Sequence, residues 1–199
     1  MTRKKRPHPS KRTRREAATR ALGDLLTGLG CDLRGELRQT PSRAATLWSE
    51  HLLAGEGADL GELLGRGSRS KARAPVLLLD VGVHLVCPHH LTVAFGQAHV
   101  AYLPGGRLAG FGALARLINA CTARLILQED AAAMISTALV ERLGARAAVA
   151  VIEARHPCHN VLHARSHRAR AVTWGRHGDA TGCRDLSSKL RAAMREHGA

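Results

Sequence analysis

The chain has 199 residues, 45% hydrophobic but only 3% aromatic, enough for one compact domain whose core is built mainly from Leu, Val and Ala. Lys and Arg number 30 against 16 Asp and Glu, a net charge of +14; eight of the basic residues fall in the acid-free first fifteen positions, and removing them leaves +6. No uncharged apolar run approaches the ~20 residues of a membrane span, no apolar run follows the basic N-terminus as in a secretory signal, and five scattered cysteines do not make a disulfide framework, so a cytoplasmic protein is expected.

Residues 1–15 (MTRKKRPHPSKRTRR) read as a basic disordered tail, a solvated extension able to make weak, salt-sensitive contact with a polyanion. Residues 16–74 form an N-terminal helical region and linker. Ala18, Leu22, Leu25, Leu26 and Leu29 recur at helical spacing, with Gly28 and Gly30 ending the run. Thr40-Pro41 reads as an N-cap and first-turn proline opening a second helix, and Leu60 to Leu64 form a short third. Gly65 to Ala74 (GRGSRSKARA) has the composition of a flexible basic linker.

Residues 75–199 change texture. Val76 to Val86 and Thr92 to Leu103 read as strands, closed by Pro104-Gly105-Gly106. Helices are expected over Leu114 to Ile126 and Glu129 to Leu143, strands over Ala147 to Ala154 and Ala169 to Trp174, and a closing helix over Asp185 to Glu196. The order β-β-α-α-β-β predicts an α+β fold, a four-stranded antiparallel sheet with two helices on one face, preceded by N-terminal helices. Such a sheet has two open edges, and oligomerisation through them is expected.

Cys87-Pro88-His89-His90 and His156-Pro157-Cys158 both fall at strand ends, where rigid elements present side chains. Thiolate and imidazole suit zinc, and a catalytic zinc (Zn2+) keeps three protein ligands and one open position. Cys87, His90 and Cys158 can supply such a set, leaving His89 and His156 for proton transfer. The same residues also read as buried cysteines with satisfied histidines. His99, Cys31, Cys121 and Cys183 lack ligand spacing; His99 and Cys121 read as core, and Trp48 and Trp174 as packing residues. His159, His163 and His167 recur every four residues, but in a basic connection rather than a metal-binding helix.

The stretch Cys87-Pro-His-His-Leu91, followed by Phe95-Gly96 and by His99-Val-Ala-Tyr-Leu-Pro104, resembles the core signature of the GTP cyclohydrolase I family. Arg124-Leu-Ile-Leu-Gln-Glu129, His156-x-Cys158 and the early Thr40-Pro41-x-Arg43-x-Ala45 resemble it too, in family order. The resemblance implies the tunnelling fold for residues 75–199 and a homo-oligomer, commonly a decamer of two pentamers with active sites at subunit interfaces. It also implies zinc on Cys87, His90 and Cys158, acid-base roles for His89 and His156, and a guanine-gripping carboxylate at Glu129 aided by Gln128. Arg43 and Arg116 match phosphate-binding positions. The implied reaction opens the guanine imidazole ring of GTP at C8, releasing formate and 7,8-dihydroneopterin triphosphate without an organic cofactor.

Several positions depart from the family pattern. Pro88 stands where the motif has Glu, Phe111-Gly112-Ala113 where the family has Leu-Ser-Lys, and Leu162 where it has Arg. His163, Arg165 and Arg168 are close enough in sequence to compensate. A diverged relative acting on a less phosphorylated purine or pterin, and a non-catalytic binding subunit, are the alternative readings.

Overall fold

A computed structural model describes residues 10–162 and 169–196. The chain divides into two compact units, Met1–His51 and Leu52–Ala199. In the first, α1 (Lys11–Gly28) is followed by a 3-10 turn (Gly35–Gln39) and α2 (Thr40–Leu47). Helix starts earlier than composition suggests: Ser10 accepts the Thr13 N–H and Arg12 pairs with Glu16 at 2.7 Å, so residues 11–15 of the expected tail are helical. Residues 1–9 lie outside the described residues. Thr40 is not the cap of α2; Gln39 holds that position without a side-chain bond, and Thr40 and Pro41 are already helical.

The second unit opens with α3 (Leu60–Leu64), capped by Asp59, whose carboxylate accepts the Gly61 and Glu62 N–H groups. The expected flexible linker contains β1 (Ser68–Arg69), which pairs antiparallel with β4 (Arg107–Leu108). The Ser70 N–H bonded to Gly106 O at 2.9 Å extends that pairing. Composition registers charge and glycine, not a partner that arrives forty residues later.

The main sheet is antiparallel throughout, in the order β2 (Val76–Val86), β3 (Val93–Leu103), β5 (Ala147–Arg155) and β6 (Ala171–Gly178). Helices α4 (Phe111–Thr122) and α5 (Gln128–Glu141) follow β4, and α7 (Ala180–Glu196) closes the chain. Strand alternation builds three layers. Ala98, Val100 and Tyr102 of β3 and Ala148, Ala150 and Ile152 of β5 pack with Leu117, Ile118, Ile135 and Leu139 of α4 and α5. On the other parity, Ala101, Ala147, Val149 and Val151 pack with Cys183, Leu186, Leu190 and Met194 of α7. Two helices on one face is thus the observed α+β arrangement, and α7 covers the opposite face. Strand β6 is longer than its apolar run because its outer residues, Arg176 and His177, still pair with β5.

Two positions carry unusual constraints. A Cβ on Gly175 of β6 would collide with the carbonyl of Ala132 in α5, so glycine there permits the close approach of helix and sheet. His99 is fully buried; its Nδ1 accepts the N–H of Asp80, which sits at a bulge in β2 with φ of 58°. Its Nε2 therefore carries the proton, and it has no partner among the described residues. Burial holds this imidazole below its ordinary value, against the pull of Asp80 and Glu153.

Two outcomes are expected. Gly175→Ala lowers unfolding free energy by about 2 kcal/mol or more, whereas Gly82→Ala, with open space at its Cβ, changes it little; denaturant titration measures both. For His99 the unfolded chain takes up a proton near pH ~6.5 that the folded chain resists, so the stability it contributes is full above that pH and is lost as pH falls below it. Melts at pH 7.5 and 5.5 should show this fall, and His99→Leu should flatten it.

Candidate metal centre and its surroundings

Three distant segments meet at one end of the sheet. Strand β2 ends at Val86, and the loop after it is closed by two 2.9 Å bonds, Cys87 N–H to Thr92 O and Leu91 N–H to Cys87 O. That turn, with Leu91 at φ of 55°, buries Cys87 and leaves Pro88, His89 and His90 exposed. The α4–α5 connection lies along Val86: the Val86 N–H donates to Arg124 O, the Ile126 N–H donates to Val86 O, and a parallel bridge forms with Leu125. This brings the first turn of α5, with Gln128 and Glu129, to the same end. Strand β5 finishes there too, Arg155 opposite Phe95, so His156 and the short α6 (Pro157–Leu162) emerge beside the loop.

Cys87, His90 and Cys158 place their ligand atoms within 4.8 Å of one another, with Cys87 Sγ 3.9 Å from His90 Nδ1. Two thiols and an imidazole converging from separate segments fit a metal of zinc's preferences, since a tetrahedral zinc brings such atoms to about 3.5–3.8 Å of each other. The other cysteines behave differently. Cys121 is sealed in the core, where burial pushes its thiol up to about 12. Cys183 points its Sγ at His177 O, 3.2 Å away.

Gln128 is nearly fully buried, and both its donors and its amide oxygen find partners. Its Nε2 donates to Ile152 O of β5 at 2.8 Å and to Ala171 O of β6 at 3.1 Å, and its Oε1 lies 2.8 Å from His156 Nε2. A flipped amide would set an oxygen against two carbonyls, so the orientation is forced. Oε1 must then accept, and His156 Nε2 must donate, leaving Nδ1 as the nitrogen without a proton in the neutral ring. Burial holds the His156 imidazole below its ordinary value; Glu129 pulls it up and His159 pushes it down. The Gln128 side chain thus braces a histidine and two strands. Glu129 beside it is exposed.

The remaining expected site residues are spread more widely. His89 is exposed, its ring 6.1 Å from that of His90 and edge-on to it. Arg116 is exposed on α4 above Gly112, in the half of the helix toward Tyr102, whose hydroxyl accepts the Ala109 N–H at 3.1 Å. The start of α4 thus lies at the end of the sheet away from Cys87, and Arg116 sits about midway along the helix. Leu162 is exposed at the end of α6. Arg43, in the other unit, donates to Gln39 Oε1 at 2.9 Å. His163, Arg165, His167 and Arg168 lie outside the described residues.

Residue spacing alone misses the Gln128–His156 contact and the Val86–Leu125 bridge. No local signal marks the first, since Gln128 opens a helix whose next two residues, Glu129 and Asp130, are also polar. Nothing local signals the second.

The sequence profile described as GTP cyclohydrolase I matches residues 18–195. The GTP cyclohydrolase 1 of Chromobacterium violaceum is 41% identical over 143 residues, 71% of this chain and 69% of that protein. The GTP cyclohydrolase 1 of Streptococcus sanguinis is 31% identical over 175 residues, covering 87% of this chain and 95% of that one. That of Bacillus subtilis is 33% identical over 165 residues, with coverage of 82% and 86%. A profile match across most of the chain, with relatives above 30% identity along most of their own length, settles the kinship: the chain belongs to the GTP cyclohydrolase I family.

Proposed function

We propose that the chain is a zinc-dependent GTP cyclohydrolase I, opening the guanine imidazole ring of GTP at C8 to give formate and 7,8-dihydroneopterin triphosphate. The observation that carries this reading is the convergence of Cys87, His90 and Cys158 within 4.8 Å, next to a histidine whose tautomer is set by Gln128. Cys87, His90 and Cys158 would hold the zinc, which when bound supplies Lewis acidity and a water of lowered pKa at neutral pH. His156, donating from Nε2 to Gln128, offers Nδ1 to accept a proton as water adds at C8. Exposed His89 is the second proton carrier, serving the ring nitrogen that is released. Glu129 grips the guanine edge, its two oxygens matching the parallel N1–H and 2-amino donors.

The protein acts as a homo-oligomer in this reading, a decamer of two pentamers in the cytoplasm. Strands β2 and β6 each have one partner strand, which leaves edges for neighbouring copies to close. The first half of α4, with Arg116, lies toward the other end of the sheet from the metal cluster, which suits a site shared between copies. Arg43 and Arg116 bind the triphosphate, and the basic N-terminal tail adds a weak polyanion contact that catalysis does not need.

A second reading is favoured by one set of residues. Gly112, Ala113 and Leu162 supply no hydroxyl, ammonium or guanidinium, so a substrate with fewer phosphates loses less here than GTP would. Loss of two charge-assisted bonds, each worth about 1.5–3 kcal/mol, raises KM before it touches the chemistry.

Formate release from GTP, assayed with zinc content in the same sample, separates these readings. Turnover with near-stoichiometric zinc is expected; a filled metal site without formate favours the less phosphorylated substrate. Cys158→Ser should lose zinc and turnover together, and full zinc with full turnover in that variant would overturn the ligand set. Glu129→Ala should keep the metal and weaken guanine binding about ten- to hundredfold. Gln128→Leu should also keep the metal but lower kcat roughly tenfold or more, as loss of a supporting partner does.

A further inference from the structure

Far from the metal cluster, α7 and β6 form a second concentration of positive charge. Arg176, Arg184, Ser187, Ser188, Arg191 and Arg195 line a concavity of about 470 Å³. Arg184, Ser188, Arg191 and Arg195 follow one another along α7 at steps of four, three and four residues, a stripe on one side of the helix. That stripe borders the apolar face of Cys183, Leu186, Leu190 and Met194 that fastens α7 to the sheet.

These cations are organised, but not by anions. The Arg176 and Arg191 guanidinium carbons lie 5.1 and 4.7 Å from the centre of the Trp174 ring. Arg176 Nε also donates to Ser187 Oγ at 3.2 Å, and Arg184 donates to Thr181 Oγ1 at 3.1 Å. Among the described residues none of the four arginines pairs with a carboxylate, and Asp185 on the same helix is engaged by Lys189. Four like charges around one concavity repel each other, and an indole face and a hydroxyl position them without neutralising them. A multiply charged anion entering the concavity removes that repulsion.

Its position separates it from the catalytic machinery. Arg176 pairs with Val149, six residues back along β5 from Arg155, which is about 20 Å at ~3.3 Å per residue. Trp174 belongs to the α7 side of the sheet, and Gln128 with the rest of α5 to the other.

We propose that this concavity is a binding site for a linear oligophosphate, distinct from the substrate site. Guanidinium forks match phosphoryl oxygens in pairs, and several of them around one concavity suit a chain of phosphates better than a single one. The volume lies within the ~300–1,000 Å³ range of small-ligand sites. No carboxylate lines it to hold a base edge, and the Trp174 ring is already occupied by guanidinium groups, so the phosphates are what is read.

Isothermal titration of the purified zinc-loaded protein with inorganic triphosphate, with ATP and with guanosine tests this. Triphosphate is expected to bind to a class of sites that Arg184→Gln combined with Arg191→Gln weakens roughly tenfold or more. Formate release from GTP and the circular dichroism spectrum stay unchanged in that variant, and Arg116→Gln leaves this class of sites intact. Equal binding of triphosphate and ATP identifies free oligophosphate as sufficient; tighter ATP identifies a nucleotide as the source. A double variant that titrates like the wild type, binding that vanishes with Arg116→Gln instead, or guanosine bound in place of phosphate would each overturn the proposal. Should the double variant lose its fold, Arg195→Gln on the last turn of α7 reads the same site and must weaken binding in the same direction.

Discussion

The end of the sheet where Cys87, His156 and Cys158 meet depends on one buried amide. Gln128 sits at the start of α5 and bonds to a carbonyl of β5, a carbonyl of β6 and the ring of His156. An amide has two donors and an acceptor with two lone pairs, and in this position both donors are used and one acceptor contact is made. Remove it and the carbonyls of buried Ile152 and exposed Ala171 lose a donor, α5 loses one of its ties to each strand, and His156 loses the contact that selects its tautomer. A buried polar group left half-satisfied costs more than the net worth of the bond it made. The same residue therefore ties the helix to the sheet and sets the orientation of the His156 ring, which explains why so polar a side chain is buried at the head of α5.

The rest of the site is assembled by backbone bonds rather than by side-chain packing. The two bonds across the Cys87–Thr92 loop hold Cys87 inward while the three residues after it stay exposed. The bridge between Val86 and the α4–α5 connection then sets the first turn of α5 beside that loop. Pro88 fits this arrangement, because the loop is closed by the N–H groups of Cys87 and Leu91 and needs none from position 88. A Glu there would add a carboxylate near Cys87 and His90, but the loop closes without it.

Much of the fold was legible because it is written in periodicity. The alternation in β3 and β5 and the helical spacing in α4 and α5 predict the ββααββ order and the antiparallel sheet, and the family motifs agree. What the periodicity could not show depends on distant pairing. Arg69 has no apolar pattern of its own, and it becomes a strand because Arg107 lies opposite. Gly178 and His177 extend β6 only because Ala147 and Ala148 are there to pair with them. At the site, the ligand types and their C-x-x-H and H-x-C spacing were readable. The brace on His156 was not, since the spacing between Gln128 and His156 has no local period and the contact exists only after both strands are in place.

Strand alternation also explains how one sheet supports two sets of charged groups without confusing them. Along β5 the residues of one parity pack under α4 and α5, and those of the other pack under α7. The first face leads, at its end, to the Cys87, His90 and Cys158 cluster and to Glu129. The second supports a helix whose exposed side is a stripe of arginines around Trp174. Neighbouring residues of the same strand thus serve opposite faces, and the sheet stands between the α7 face and His156: Arg176 lies opposite Val149, about 20 Å along the strand from Arg155, and Trp174, under Arg191, lies opposite Val151, about 13 Å from it. Both offsets exceed the ~10 Å Debye length of 0.1 M salt, beyond which exposed charges are largely screened from one another. Each face can therefore vary in sequence while the other keeps its own packing.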